Sequence, residues 1–86
     1  MKVPWDIKTI TIIPTKHFAL KYMRAWDWDV YELRDALRIP YRVEKIGNNK
    51  FEIYIQKGGF KKVITVHYAE ENKLLCITGS EGGERI

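Results

Sequence analysis

The spacing of hydrophobic residues changes once along this 86-residue chain, from helical before residue 40 to alternating after it. Residues 7–13, IKTITII, are short and β-branched, and Pro14 stops them, so they read as a strand or an extended arm. Thr15 then offers an N-cap for a helix to about Trp26. At about 100° per residue, Phe18, Ala19, Tyr22, Met23, Ala25 and Trp26 share a broad apolar arc. His17, Lys21 and Arg24 fall opposite, with Leu20 at the border. DWD, residues 27–29, breaks this pattern, and Asp27 or Asp29 can accept hydrogen bonds from the free amides of a second helix. That helix runs to about Arg38 with Val30, Leu33, Ala36 and Leu37 as its stripe. Glu32, Arg34, Asp35 and Arg38 face water, and Pro40 ends the helix.

From residue 41 the period is two. Strands are expected at 41–46, 50–57, 60–68 and 74–78, separated by GNN, GG and AEENK. A two-residue hairpin at Gly58-Gly59 would set the register of the middle pair. Phe51, Ile53, Ile55, Phe60, Ile64 and Val66 would then share the helix-facing side with Lys57 and Lys62. Lys50, Glu52, Tyr54, Gln56, Lys61, Val63, Thr65 and His67 would show on the other side, with Lys50 opposite His67 and Tyr54 opposite Val63. The expected class is α+β: two N-terminal helices packed on an antiparallel sheet of about four strands, with 1–14 as an added strand or arm. Residues 15–78 form the α-α-β-β-β-β core and 79–86 a flexible tail, all in a single domain over 1–86.

Composition narrows the setting. Hydrophobic residues make up 45% of the chain, enough for a core in one small domain. The single Cys76 forms no internal disulfide, and with two scattered histidines it makes no zinc signature, so no metal or cofactor is expected. A reducing, cytoplasmic location fits that cysteine usage. The charged N-terminus, MKVPWDIKTITII, does not read as a secretory signal, and no stretch approaches the roughly 20 apolar residues of a membrane helix. A net charge of +4 permits an acidic partner such as RNA without establishing one.

The segment FALKYMRAWDWDVYELRDALRIP (18–40), followed by hairpins to Thr78, resembles the RelE/ParE-like superfamily of small toxins. The nearer likeness is to an uncharacterised family of short domains related to BrnT-type toxins. Ala19, Met23, Trp28, Leu33, Ala36, Leu37 and Pro40 match that family's pattern of a helix, a break, and a second helix with an Ala-Leu pair and closing proline. The resemblance implies a RelE-like fold and an antitoxin-like protein partner. The family's histidine falls on Phe18, its first arginine on Tyr22 and a second basic position on Trp26. Aromatics therefore replace the polar groups that would cleave RNA.

The residues leave two readings open. The first is RNA or protein binding with degenerate catalytic positions, including a homodimer through the strand at 7–13. The alternative is a metal-independent toxin-type endoribonuclease, which needs a base, an acid and a cation for the phosphorane charge. His67, Tyr54 and Lys61 are the candidates, and an ammonium near His67 would favour its neutral form. Lys57, Lys62 and Lys50 around the hairpins, with Arg24, Lys21 and His17 on the first helix, are the candidate phosphate contacts. The plainer view makes His67 an ordinary strand histidine, the lysines solubilising groups, and Phe18, Tyr22 and Trp26 core. KGGFKK lacks phosphate-loop spacing.

Overall fold

A computed structural model of the protein describes residues 3–81. Its architecture is α+β: two helices lie on one face of a five-stranded mixed sheet with strand order β1-β5-β4-β3-β2. The strands are β1 (Thr11–Pro14), β2 (Arg42–Lys45), β3 (Lys50–Gln56), β4 (Phe60–Tyr68) and β5 (Lys73–Glu81). The N-terminal strand pairs parallel to β5, and every other pairing is antiparallel. It starts four residues later than the sequence suggests, because residues 7–10 turn instead: the Thr9 and Ile10 amides both donate to the Asp6 carbonyl. Pro14 lies on this edge strand, where its missing N–H costs no ladder bond. Residues 79–81, expected as tail, extend β5, while 82–86 lie outside the described residues.

Because β1 and β2 occupy opposite edges, the helices that join them cross the sheet and cover one face. Helix α1 is one continuous rod: an α turn Lys16–Phe18, a π-helical stretch Ala19–Met23 and an α turn Arg24–Trp26. The Thr15 side chain caps it by accepting from the Phe18 amide. Mixing wide and ordinary turns limits the drift of i,i+4 positions around the axis. Phe18, Tyr22 and Trp26 consequently stack as a column, with ring centroids 5.7 and 5.4 Å apart. Phe18 is wholly buried, so its assignment to the core holds.

The DWD break is a Schellman turn. Asp27 takes the left-handed conformation at φ 60°. The Asp27 amide donates to the Arg24 carbonyl and the Trp28 amide to that of Met23. Trp28 and Met23 are both buried, which supplies the apolar contact this motif favours. Asp29 then caps α2 (Val30–Arg38) by accepting from the Glu32 amide at 2.8 Å. Leu33, Ala36 and Leu37 are buried as the helical spacing requires, whereas Val30 is exposed. Arg34 does not simply face water. Its guanidinium donates to the carbonyls of Ile7 and Ile10 at 2.6 and 2.9 Å, pinning the N-terminal segment across the helix.

The β3–β4 register differs from the two-residue expectation. Gln56 pairs with Phe60, leaving three residues, Lys57, Gly58 and Gly59, at the tip. Both glycines have positive φ, which the turn requires. One extra loop residue slides β4 by one position and exchanges its two faces. Tyr54 therefore pairs with Lys62, and Lys50 with Val66. Lys61, Val63, Thr65 and His67 turn toward the helices, and all four are buried. Thr65 satisfies its hydroxyl by donating to the Phe51 carbonyl.

Candidate functional site

The helix-free sheet face is assembled by register. Ile13, Leu75, Val66 and Lys50 form one row across four strands. Thr78, Ile64, Glu52 and Glu44 form the next, and Ser80, Lys62, Tyr54 and Arg42 the one beyond. A bulge in β5 opposite Ile64 and Thr65 leaves Ile77 without a β4 partner. The face thus divides into an apolar part, Ile13, Leu75, Val66 and Ile64, and a polar aromatic part on β2 and β3. All four apolar side chains remain partly exposed.

Tyr54 is the centre of the polar part. Its hydroxyl donates to Glu52 Oε1 at 2.8 Å, and that bond pushes its pKa up to about 12. Arg42 lies 5.1 Å and Lys62 5.9 Å above its ring. Tyr41 stands 6.2 Å from Tyr54 and 5.9 Å from Phe60, extending the aromatic group to the hairpin tip. The cations here are already engaged: Arg42 pairs with Glu44, and Lys62 Nζ lies 3.6 Å from Glu52.

The proposed catalytic trio does not meet. Tyr54 is on the open face, while Lys61 and His67 are on the helix-covered face. His67 packs against Trp5 and Phe51, with centroids 5.0 and 6.5 Å away. Burial, not a neighbouring ammonium, holds its imidazole below the usual histidine range. Lys61 is only 6% exposed, and its Nζ donates to the Gly58 carbonyl at 2.7 Å. Tyr54, with its proton committed to Glu52 and its pKa far from neutral, is a poor proton-transfer group.

The candidate phosphate contacts are also divided. Lys50 and Lys62 are on the open sheet face. Lys57 is held against α2 by Glu32 at 3.1 Å and Asp35 at 3.5 Å, and the Glu32 bond raises its pKa. Lys21 and Arg24 are exposed on α1, across the sheet from Tyr54. His17 is exposed at the β5 edge, with Nε2 3.5 Å from Thr78 Oγ1 and its ring 5.8 Å from Tyr22. Cys76 is fully buried, and burial pushes its thiol pKa to about 12, which removes it as a nucleophile.

Two features escaped the sequence reading. A two-residue tip puts Ile64 and Val66 in the core and predicts no apolar strip on the open face. It also turns Lys61 outward, away from Trp26 and Trp28. The one available signal was the ambiguity of FKKVITVHY, which carries apolar and polar residues in both alternating sets. Among the described residues, no group of His, Cys, Asp and Glu side chains could hold a metal ion, and no helix is long and apolar enough to cross a membrane. No protein-family model matches this chain, no curated protein matches it, and no solved structure matches its fold.

Proposed function

We propose that this chain is a non-catalytic protein-interaction domain that receives an acidic amphipathic segment of a partner protein on its helix-free sheet face. One observation carries the reading: β4 turns Ile64 and Val66 outward beside Leu75 and Ile13, while Lys61, Thr65 and His67 face the helices. A strand with apolar residues on both sides suits a sheet covered on both sides. Lys50 ends the apolar row and is in no ion pair among the described residues, while Lys62 and Lys73 on the same face are held by Glu52 and Glu71. With a chain charge of +4, Lys50 favours a segment with an apolar stripe and an acidic flank. The resemblance to RelE/ParE-like domains implies an antitoxin-like protein partner, and the burial of Phe18 at the family's histidine position agrees with a non-catalytic role.

RNA binding is the second reading, favoured by the aromatic group of Tyr41, Tyr54 and Phe60 with Arg42 and Lys62 over the central ring. It ranks lower because both cations are paired with carboxylates.

The test places a photo-crosslinking residue at Leu75 in cells and identifies the adduct by mass spectrometry. The expected adduct is an acidic protein that binds the purified chain with one-to-one stoichiometry. Val66→Asp should weaken that complex at least about tenfold, while Lys21→Glu on the opposite side leaves it unchanged. Three results would overturn the proposal: no adduct, a Val66-dependent homodimer as the only complex, or binding of single-stranded RNA that Tyr54→Ala abolishes and no protein shares.

A further inference from the structure

On the helix side, a cleft of about 420 Å³ opens between the end of α1, the start of α2, the β3–β4 hairpin and the end of β5. Its size falls in the range of small-molecule sites. Trp26, Trp28, Lys61 and Gly58 line it, with Asp27 and Glu81 also on its walls. The Lys61 Nζ sits 5.5 Å from the Trp26 ring and 5.9 Å from that of Trp28. Its ammonium has three donors, and the Gly58 carbonyl takes one. Among the described residues no carboxylate lies within ion-pairing distance of it. Trp26 Nε1 is buried and has no acceptor. A buried ammonium with unused donors, beside an unpaired indole N–H, is costly unless an acceptor arrives.

We propose that this cleft binds a free α-amino acid, with its carboxylate on Lys61 and its side chain against Trp26 and Trp28. Two features choose the ligand. The Lys61 donors call for an oxyanion. Asp27 and Glu81, neither of them in an ion pair among the described residues, call for a cation at the same site. Lys57 and Glu32 neutralise one another across the cleft and leave those two carboxylates to receive the α-ammonium. A phosphate, with greater negative charge, would be repelled by them.

The experiment titrates the purified full chain with L-phenylalanine, 3-phenylpropionate, phenethylamine and inorganic phosphate, following the indole N–H resonances by NMR. Phenylalanine is expected to shift the Trp26 and Trp28 signals saturably with Kd near about 1 mM, leaving Trp5 unmoved. The acid and the amine should each bind at least about tenfold more weakly, since each forfeits one charged contact. Lys61→Met should abolish the phenylalanine shifts. Asp27→Asn, which suits the left-handed backbone at that position, should weaken phenylalanine but not 3-phenylpropionate. The proposal is overturned if phenethylamine or phosphate matches phenylalanine, if Lys61→Met binds as wild type, or if no probe saturates by about 20 mM.

Discussion

Gly79 lies against Phe18 and Trp26 of α1, and Gly79→Ala measures how tightly that contact is packed. An added Cβ would stand 2.7 Å from the Lys62 carbonyl oxygen, 3.2 Å from Trp26 Cη2 and 3.4 Å from Phe18 Cε1. The first atom is backbone, fixed by the β4–β5 ladder. Neither ring has easy retreat: Phe18 is fully buried, and Trp26 is held by Tyr22 and Trp28 at 5.4 and 4.9 Å. Relief therefore needs a shift of β5 or of the whole aromatic column. Overpacking costs about 1–3 kcal/mol, and the backbone clash puts this substitution near about 3 kcal/mol. In a domain of this size that lowers Tm by roughly 12–24 °C. Urea and thermal unfolding followed by circular dichroism give the number. Gly47→Ala is the control, because its Cβ would meet only Lys50, the Cβ at 3.3 Å and the backbone N at 4.0 Å, on an exposed turn. If Gly79→Ala unfolds within about 0.5 kcal/mol of wild type, α1 does not approach β5 as described.

Asp27→Gly should raise stability by about 1 kcal/mol in urea unfolding, because glycine occupies φ 60° without a Cβ penalty; a loss would argue against the Schellman turn. Arg34→Met should cost about 1.5–3 kcal/mol by removing two charged hydrogen bonds, and it should speed amide exchange at Thr9 and Ile10 ahead of the sheet; unchanged exchange there would refute the pinning. His67 has its folded pKa depressed by burial, so the unfolded chain takes up a proton more readily. Its contribution to stability is full above about pH 6.5 and is lost as pH falls toward the folded value. Wild type should therefore lose more stability between about pH 7 and 5 than His67→Gln, and equal losses in the two proteins would contradict this.

Much of the fold was legible because each element carried its own local signal. Thr15 and Asp29 are caps, FALKYMRAW and VYELRDALR have helical stripes, and FKKVITVHY is bounded as β4 is. The parallel pairing of β1 with β5 was not legible, since it joins segments about sixty residues apart with no turn to fix them. Nor could composition tell a two-residue tip from a three-residue one, since KGGF admits both.

That single residue at the tip decides where the chemistry lies. Judged by hydrophobicity alone, Phe60, Lys62, Ile64 and Val66 make a better buried set than Lys61, Val63, Thr65 and His67. The chain buries the second set because each polar member has a local remedy. Lys61 reaches the Gly58 carbonyl and two indole faces, Thr65 reaches the Phe51 carbonyl, and His67 is covered by Trp5 in its neutral form. With Lys61 anchored, Thr65 paired and His67 covered, Val63 at the centre supplies the apolar contact with the core. The displaced side chains, Ile64 and Val66, then meet Leu75 and Ile13 on the open face. Loop length, by setting β4's phase, thus separates Tyr54 from His67, turns an apolar strip onto the open face, and carries Lys61 into an aromatic cleft. Deleting Gly58 would put the two-residue tip to the test. A chain that refolded with β4 in the opposite phase would expose Lys61 and His67 and bury Ile64 and Val66, and hydrogen exchange at Trp26 and Trp28 would report the loss of their cation. If the deletion variant instead keeps the wild-type protection pattern, tip length does not control the phase of β4, and the core contact of Val63 must do so by itself.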